Sequence, residues 1–427
     1  MTSQWLDGMN PDWSVRRPKT LFMERRSPSR AGDTHLTPSQ HFGVLPQSEY
    51  MAVSGSSVVL NLVGTDNMKH VEPDDFIIHL RSFQGGIEHS SLAGKVSNAY
   101  TVFSANAEVE PRFFRWVLKS PGFVQELQST TNQLRDGQSI RFAEFASINL
   151  PLPPLEEQRR IADFLDDQVT RIDQAIQLRQ QQIDLVHEHQ ASYLRDTTTV
   201  WRGKSKPTGV AWMPKIRESW RLSRIGLVFT TGSGSTPPSD DRTLYGGPHP
   251  WLLTGDLNDG LVIETKNTLS DKALMRFGTL APYPSGSLVV AMYGATIGRL
   301  GILGAPASVN QACCVLTRQT VVQTRFAFYW FLGHRQEILQ LGTGAGQPNI
   351  SQELVRSLLI PVAPWSDQKC AISDMESSSD AAGRIIHSMN DAVRLLMERK
   401  RSLITAAVTG EFDVSSASSR AAGLVGV

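Results

Sequence analysis

Few side chains in this sequence could do covalent or metal chemistry, and none falls at a working spacing. Gly232-Ser233-Gly234-Ser235-Thr236-Pro237 is rich in glycine but lacks the Gly-Lys-Ser/Thr that cradles nucleotide phosphates, so it reads as a flexible loop. Glu72-Pro73-Asp74-Asp75 groups three carboxylates, but no Glu-x-Lys follows as a nuclease would need. A Pro-Asp turn ahead of an apolar strand, Phe76-Ile77-Ile78, explains it better. The Asn/Asp-Pro-Pro-Tyr/Phe element of an amino-methyltransferase is missing, and Thr236-Pro237-Pro238-Ser239 is no substitute. His187 and His189 stand two apart in a helical stretch, face different directions, and cannot share a metal. Cys313-Cys314 lies in the apolar run Ala312 to Leu316 and reads as strand core. No catalytic residue, metal or cofactor is expected, which favours a binding role.

The net charge of +1 argues against a chain that coats nucleic acid indiscriminately. A local patch, Arg16, Arg17, Lys19, Arg25, Arg26 and Arg30, could hold phosphates or be plain solvated surface. Hydrophobic content of 40% and charge of 19% suit a soluble protein. No apolar run approaches the roughly 20 residues that span a bilayer. The first residues lack a basic stretch followed by an apolar one, so no secretory signal is expected. Three cysteines are too few for a disulfide framework, and a reducing, cytoplasmic setting follows.

The elements that would position a binding site occur twice. Pro151-Leu152-Pro153-Pro154-Leu155-Glu156-Glu157-Gln158 is echoed 210 residues later by Pro361-Val362-Ala363-Pro364-Trp365-Ser366-Asp367-Gln368. Ile140, Phe145 and Ile148 match Ile350, Val355 and Leu358 at the same offset. Phe114, Trp116 and Leu118 match Phe328, Trp330 and Leu332 at 214, Asn98 matches Asn310 at 212, and Trp13 to Arg17 match Trp220 to Arg224 at 207. So long a period is a duplicated domain rather than a solenoid. In the first copy, Val58 to Val63 and Phe76 to Ile78 read as strands, and Phe113 to Leu127 as one amphipathic helix.

Each copy ends in a long helix. The prolines hold Leu150 to Pro154 extended, and Pro154 can begin a helix whose first turn carries Glu156 and Glu157. From Leu155 to about Thr197 apolar residues recur at heptad spacing: Ala162, Val169, Ile176, Ile183 and Gln190 in one series, Leu165, Ile172, Arg179, Val186 and Tyr193 in the other. That helix would be roughly 60 Å long. The second copy repeats the stripe with Met375, Ala382, Met389, Leu396 and Leu403, beside Ile372, Ser379, Ile386, Val393 and Lys400. Matching stripes predict antiparallel packing of the two helices on each other or, as the alternative, a surface that docks partner proteins, each on its own face. Arg202 to Gly209 reads as a linker, and the tail from Ser415 as disordered.

The duplicated Pro-x-Pro-Pro-Leu-Glu-Glu-Gln-x-x-Ile before a long helix resembles the specificity subunit of Type I restriction–modification systems. Thr230 to Pro237, Trp251 to Leu257, Met292 to Arg299, Val309-Asn310-Gln311 and Gly342 to Ser351 resemble one of that family's target recognition domains. The resemblance implies an α+β fold with two similar recognition domains, joined by two long antiparallel coiled-coil spacer helices in a pseudo-twofold duplication. The expected domains are residues 1–154 and 217–364, with helices 155–200 and 365–412, a linker at 201–216 and a disordered tail at 413–427. It further implies that each domain reads half of a split site on double-stranded DNA. The helices would bind two methyltransferase subunits, and nuclease–translocase subunits would join that core.

Arg and Lys reach phosphates and guanine edges, while Asn and Gln read adenine edges. The DNA-contact candidates are therefore loop residues beside glycine: Gly346, Gln347 and Asn349 in the second copy, Arg135, Gln138 and Arg141 in the first, and Arg299 after Gly298. Ser233, Ser235, Thr236, Arg16 and Arg17 complete the set. Each could instead belong to an ordinary connection. Glu156, Glu157, Gln158, Ile161, Gln368 and Ile372, at the helix starts, are the candidates for partner binding. The competing expectation is a coiled-coil scaffold whose duplicated domains bind protein.

Overall fold

The computed structural model describes residues 4–55, 68–79, 86–129, 140–342, 349–412 and 414. The chain divides into two compact units, Met1–Arg179 with Asp391–Val427, and Gln180–Asn390. The expected strand at Val58 to Val63 and the tail from Ser415 lie outside the described residues.

The first unit runs β1 (Ser14–Arg16), α1 (Pro18–Leu21), β2 (Phe22–Arg25), β3 (Leu36–Ser39), β4 (Gly43–Pro46), α2 (Gln47–Ser54), β5 (Lys69–Val71), β6 (Phe76–Ile78), β7 (Ile87–His89), β8 (Gly94–Val96) and β9 (Thr101–Ala105). Then follow α3 (Pro111–Val117), α4 (Pro121–Ser129), α5 (Phe142–Phe145), β10 (Leu150–Leu152) and the start of α6 (Leu155–Thr199). The helix expected over Phe113 to Leu127 is thus two. Pro121 cannot supply the N–H that a continuous helix needs, and it opens the second helix instead. The main sheet is antiparallel in the order β2-β9-β6-β7. Phe22 lies against it with Phe76, Phe103 and Phe114 set edge-on at 5.4 to 5.6 Å.

The second unit opens with an ordered hairpin, β11 (Ser205–Val210) and β12 (Met213–Arg217), where a linker was expected over 201–216. Its Gly, Pro and Lys content suggested a free connection. Met213 and Ile216 are nevertheless buried, and Trp212 packs edge-on against Trp330 at 5.9 Å. There follow β13 (Arg221–Arg224), α7 (Ile225–Val228), β14 (Thr230–Gly232), β15 (Tyr245–Leu252), β16 (Gly260–Val262), β17 (Asn267–Leu269), α8 (Asp271–Arg276), β18 (Leu288–Ala291), β19 (Leu300–Leu303), β20 (Ser308–Val309) and β21 (Cys313–Thr317). The unit continues through α9 (Thr324–Gly333), α10 (Arg335–Gln340), α11 (Gln352–Ser357) and β22 (Leu359–Val362) into α12 (Trp365–Thr409).

The duplication is visible element by element. β14-β21-β18-β19 repeats the order β2-β9-β6-β7, with β16 added at the edge. β1 pairs antiparallel with β10, and β13 with β22, so each copy closes its chain just before its long helix. Both long helices have 45 residues, about 65 Å each. The heptad positions are buried or half-buried on both helices except Arg179, which is exposed. Within the first unit Lys400 Nζ meets the Asp173 carboxylate at 2.7 Å. Within the second, Gln190 Nε2 donates to Ser379 Oγ at 2.9 Å. The side chains at the start of each helix join the core of their own unit: Ile161, Ala162 and Leu165 in the first, Ala371, Ile372 and Met375 in the second.

Candidate nucleic-acid interface

The most closely repeated contacts surround the duplicated Gln. Gln158 is fully buried. Its Oε1 accepts from the Glu110 N–H at 2.8 Å, and its Nε2 donates to Glu108 O and Pro153 O at 3.0 and 2.9 Å. Gln368 does the same: Oε1 accepts from the Gln323 N–H at 2.7 Å, and Nε2 donates to Val321 O and Ala363 O at 2.7 and 2.8 Å. One residue earlier, Glu157 accepts from Trp13 Nε1 and Asp367 from Trp220 Nε1, each at 3.1 Å. Arg112 pairs with Asp163 and Arg325 with Glu376. Glu108, Glu110 and Arg112 match Val321, Gln323 and Arg325 at an offset of 213, where side-chain matching in the helix that follows suggested 214.

The partner-binding assignment is therefore corrected. Gln158, Ile161, Gln368 and Ile372 are buried against their own unit, and Glu157 is half-buried beneath Trp13. A primary amide using its oxygen and both N–H donors is an internal clamp, because leaving such groups unpaired in the interior costs about 1–3 kcal/mol each. Only Glu156 of that set remains exposed, paired with Arg159 at 2.6 Å.

In the second unit the sheet register gathers several DNA-contact candidates at one end. Gly232 ends β14, Ala291 ends β18, and β19 and β21 start from this end, where Ala291 pairs with Cys313 and Val290 with Leu300. Arg299 immediately precedes β19 in the loop that starts at Met292. It is exposed and makes no side-chain hydrogen bond or ion pair among the described residues. The Ile350 N–H donates to Met292 O at 2.8 Å, which brings exposed Asn349 to the same loop. At the base, Asp259 has left-handed backbone (φ 62°). Its carboxylate accepts from the Leu300 N–H at 2.9 Å and from Arg335.

The glycine-rich segment at this end has a different function from the one expected. It is not a loose loop. Tyr283 OH donates to Ser233 O at 2.9 Å, Ser233 Oγ to Gln311 O at 3.3 Å, and Ser235 Oγ meets Thr279 Oγ1 at 2.7 Å. A Cβ on Gly234 would stand 1.7 Å from Val309 O, and one on Gly232 2.2 Å from the Tyr283 hydroxyl. The glycines admit the protein's own backbone and ring. Thr236 remains exposed and donates to Gln311 Oε1. Gln311, exposed just before β21, was not among the candidates. Its position next to Asn310 in a glycine-poor segment gave no loop signal.

The first unit separates the basic patch. Arg25 forms a bidentate pair with Asp75 at 2.6 and 3.0 Å, Arg26 pairs with Glu24, and Arg30 with Glu72. His70, almost wholly buried, sits between Asp33 and Glu72 at 2.8 and 2.9 Å. The His70 ring 2.9 Å away, with Arg30 paired on the same oxygen, holds the Glu72 carboxyl below its ordinary range. Arg16, Arg17 and Lys19 stay exposed, but they precede the start of β2, while the sheet end matching the second unit's lies at Arg25. Arg141 is exposed and follows Ile140, the counterpart of Ile350. Arg135, Gln138, Gly346 and Gln347 lie outside the described residues.

The cysteines match the strand-core reading. Burial pushes the Cys313 and Cys314 thiols up to about 12, far from a reactive thiolate. Burial lowers His334, beside Trp330 and Trp212, to about 4. Among the described residues no group of three or more His, Cys, Asp or Glu side chains could hold a metal ion, and no helix is long and apolar enough to cross a membrane.

Comparison with known proteins converges on one family. Residues 47–185 and 217–381 match the model of the Type I restriction modification DNA specificity domain. The type I restriction enzyme MjaX specificity subunit of Methanocaldococcus jannaschii is 22% identical over 363 residues, covering 83% of this chain and 80% of the relative. The same organism's type I restriction enzyme MjaVIII specificity subunit is 23% identical over 282 residues, 64% of each chain. A solved chain from work on complex assembly and conformational transition of the type I R-M system shares the fold. Its TM-score is 0.71 at 16% identity, over 95% of this chain and 99% of that one.

Proposed function

The chain belongs to the family of Type I restriction–modification DNA specificity subunits, and on that premise we propose that each of its two units reads one half of a bipartite DNA site. It performs no chemistry itself. Methylation and cleavage belong to the methyltransferase and nuclease–translocase subunits that assemble on it. The complex works on double-stranded DNA in the cytoplasm.

The observation that carries this reading is the repeated sheet. Each unit builds the same four-strand order. In the second unit the connections at one sheet end carry the exposed, uncommitted Arg299 and Asn349, both able to contact DNA. Two such ends on one chain suit a target of two parts.

The outer face of the long helices supports partner docking. Leu185 and Leu395 occupy equivalent positions in the two copies, 210 residues apart, and are 62% and 57% exposed. Leucines left in water at matching sites suit two copies of one partner, here the methyltransferase subunit. Methylome sequencing of a host with and without this gene tests the whole reading. Loss of one bipartite methylation motif supports it, and an unchanged methylome counts against it.

A further inference from the structure

We propose that Gln311 is a phosphate-anchoring residue that sets the register of the second unit on DNA, with Thr236 as its positioning residue. The inference rests on the reading that this sheet end meets DNA. Gln311 is exposed on a rigid support. Asn310 on one side donates its N–H to Leu252 O at 3.1 Å, and its Oδ1 accepts from the Ala312 N–H at 3.2 Å. The Gln311 carbonyl accepts from Ser233 Oγ, and Gly234 is packed too tightly on Val309 for a side chain.

The side-chain amide is fixed as well. Thr236 donates its hydroxyl to Gln311 Oε1, leaving Nε2 with no partner among the described residues. Reading adenine requires the amide oxygen to accept from N6 while the amide nitrogen donates to N7. The Thr236 hydroxyl occupies one of the two lone pairs of that oxygen, so the two Nε2 donors are the side of the amide left wholly free. Free donors suit phosphate oxygens, which position a protein on the duplex without reading sequence. Ser233, Ser235 and Thr236 around it are short hydroxyl side chains of the kind that accompany such contacts.

The test uses the full chain assembled with its methyltransferase subunits on a duplex carrying the methylation motif. Gln311→Ala should weaken binding about tenfold on the cognate duplex and on duplexes with one base pair changed, so that discrimination is kept. The melting temperature should not move, because the side chain is exposed. Thr236→Val should give a smaller loss, about threefold, by freeing the amide to rotate. One neutral methylphosphonate placed along the half-site should reproduce the tenfold loss in the wild type and cost Gln311→Ala nothing further. Loss of discrimination at one base pair would make Gln311 a base reader and overturn the proposal. A fall in melting temperature that accounts for the weaker binding would make it a structural prop, and an unchanged affinity would remove it from the interface. If the wild-type complex itself shows no sequence-dependent binding, the broader reading fails along with this one.

Discussion

At the residue scale, the duplicated Gln shows how a polar side chain becomes core. Gln158 and Gln368 each tie the first turn of a long helix to the loop before α3 or α9 through two hydrogen bonds, and to the extended segment just before the helix through a third. Gln158→Ala removes all three and leaves the buried Glu110 N–H unpaired. The first unit should lose about 3 kcal/mol in urea unfolding, while an exposed control, Glu156→Ala, should lose less than about 0.5 kcal/mol. Equal, small losses would return Gln158 to the surface role that its residue type suggests. A second expectation concerns acid. Because the folded Glu72 carboxyl titrates below its ordinary 4.5, its stabilisation is complete above that value and disappears as pH falls through the lower one. Thermal unfolding of wild type and Glu72→Gln should therefore differ near pH 7 and converge as pH falls through the lowered range of the carboxyl. A gap that widens in acid would contradict the pairing of Glu72 with His70 and Arg30.

At the element scale, the long helices were legible and much of the sheet was not. Heptad stripes over α6 and α12, with prolines just before each start, predict both helices nearly to the residue, because periodicity over many turns accumulates signal. Strands of three or four residues such as β1, β5 and β7 carry too few side chains to show a period. The hairpin at Ser205–Arg217 looked like a linker because Gly209, Pro207 and the lysines face outward, and Met213 and Ile216 alone reveal its buried side. The glycines of Gly232 to Pro237 read as a flexible loop, but at Gly234 the missing side chain admits Val309 of the same unit. The repeated Trp13-Glu157-Gln158 and Trp220-Asp367-Gln368 sets were the available signal that those positions are internal. Two substitutions test the helices. Ile176→Pro should cost about 3 kcal/mol or more and abolish assembly with methyltransferase subunits. Leu185→Glu or Leu395→Glu should leave folding intact and reduce the complex from two methyltransferase subunits to one, as read by native mass spectrometry. Retention of both subunits would move docking elsewhere.

At the scale of the whole molecule, duplication explains why one chain can serve a target with two parts. Each copy carries its own sheet, its own aromatic core and its own Gln clamp, so one recognition region can diverge while the other keeps its fold. The first unit makes the contrast concrete: Arg25, Arg26 and Arg30 are held in ion pairs where the second has a glycine-rich backbone packed on Val309. The two units therefore present different chemistry on a common frame. The most direct test exchanges residues 217–360 for the matching segment of a relative with a different target, followed by methylome sequencing. One half of the methylated motif should change while the other half stays the same. A motif altered in both halves, or in neither, would contradict the account.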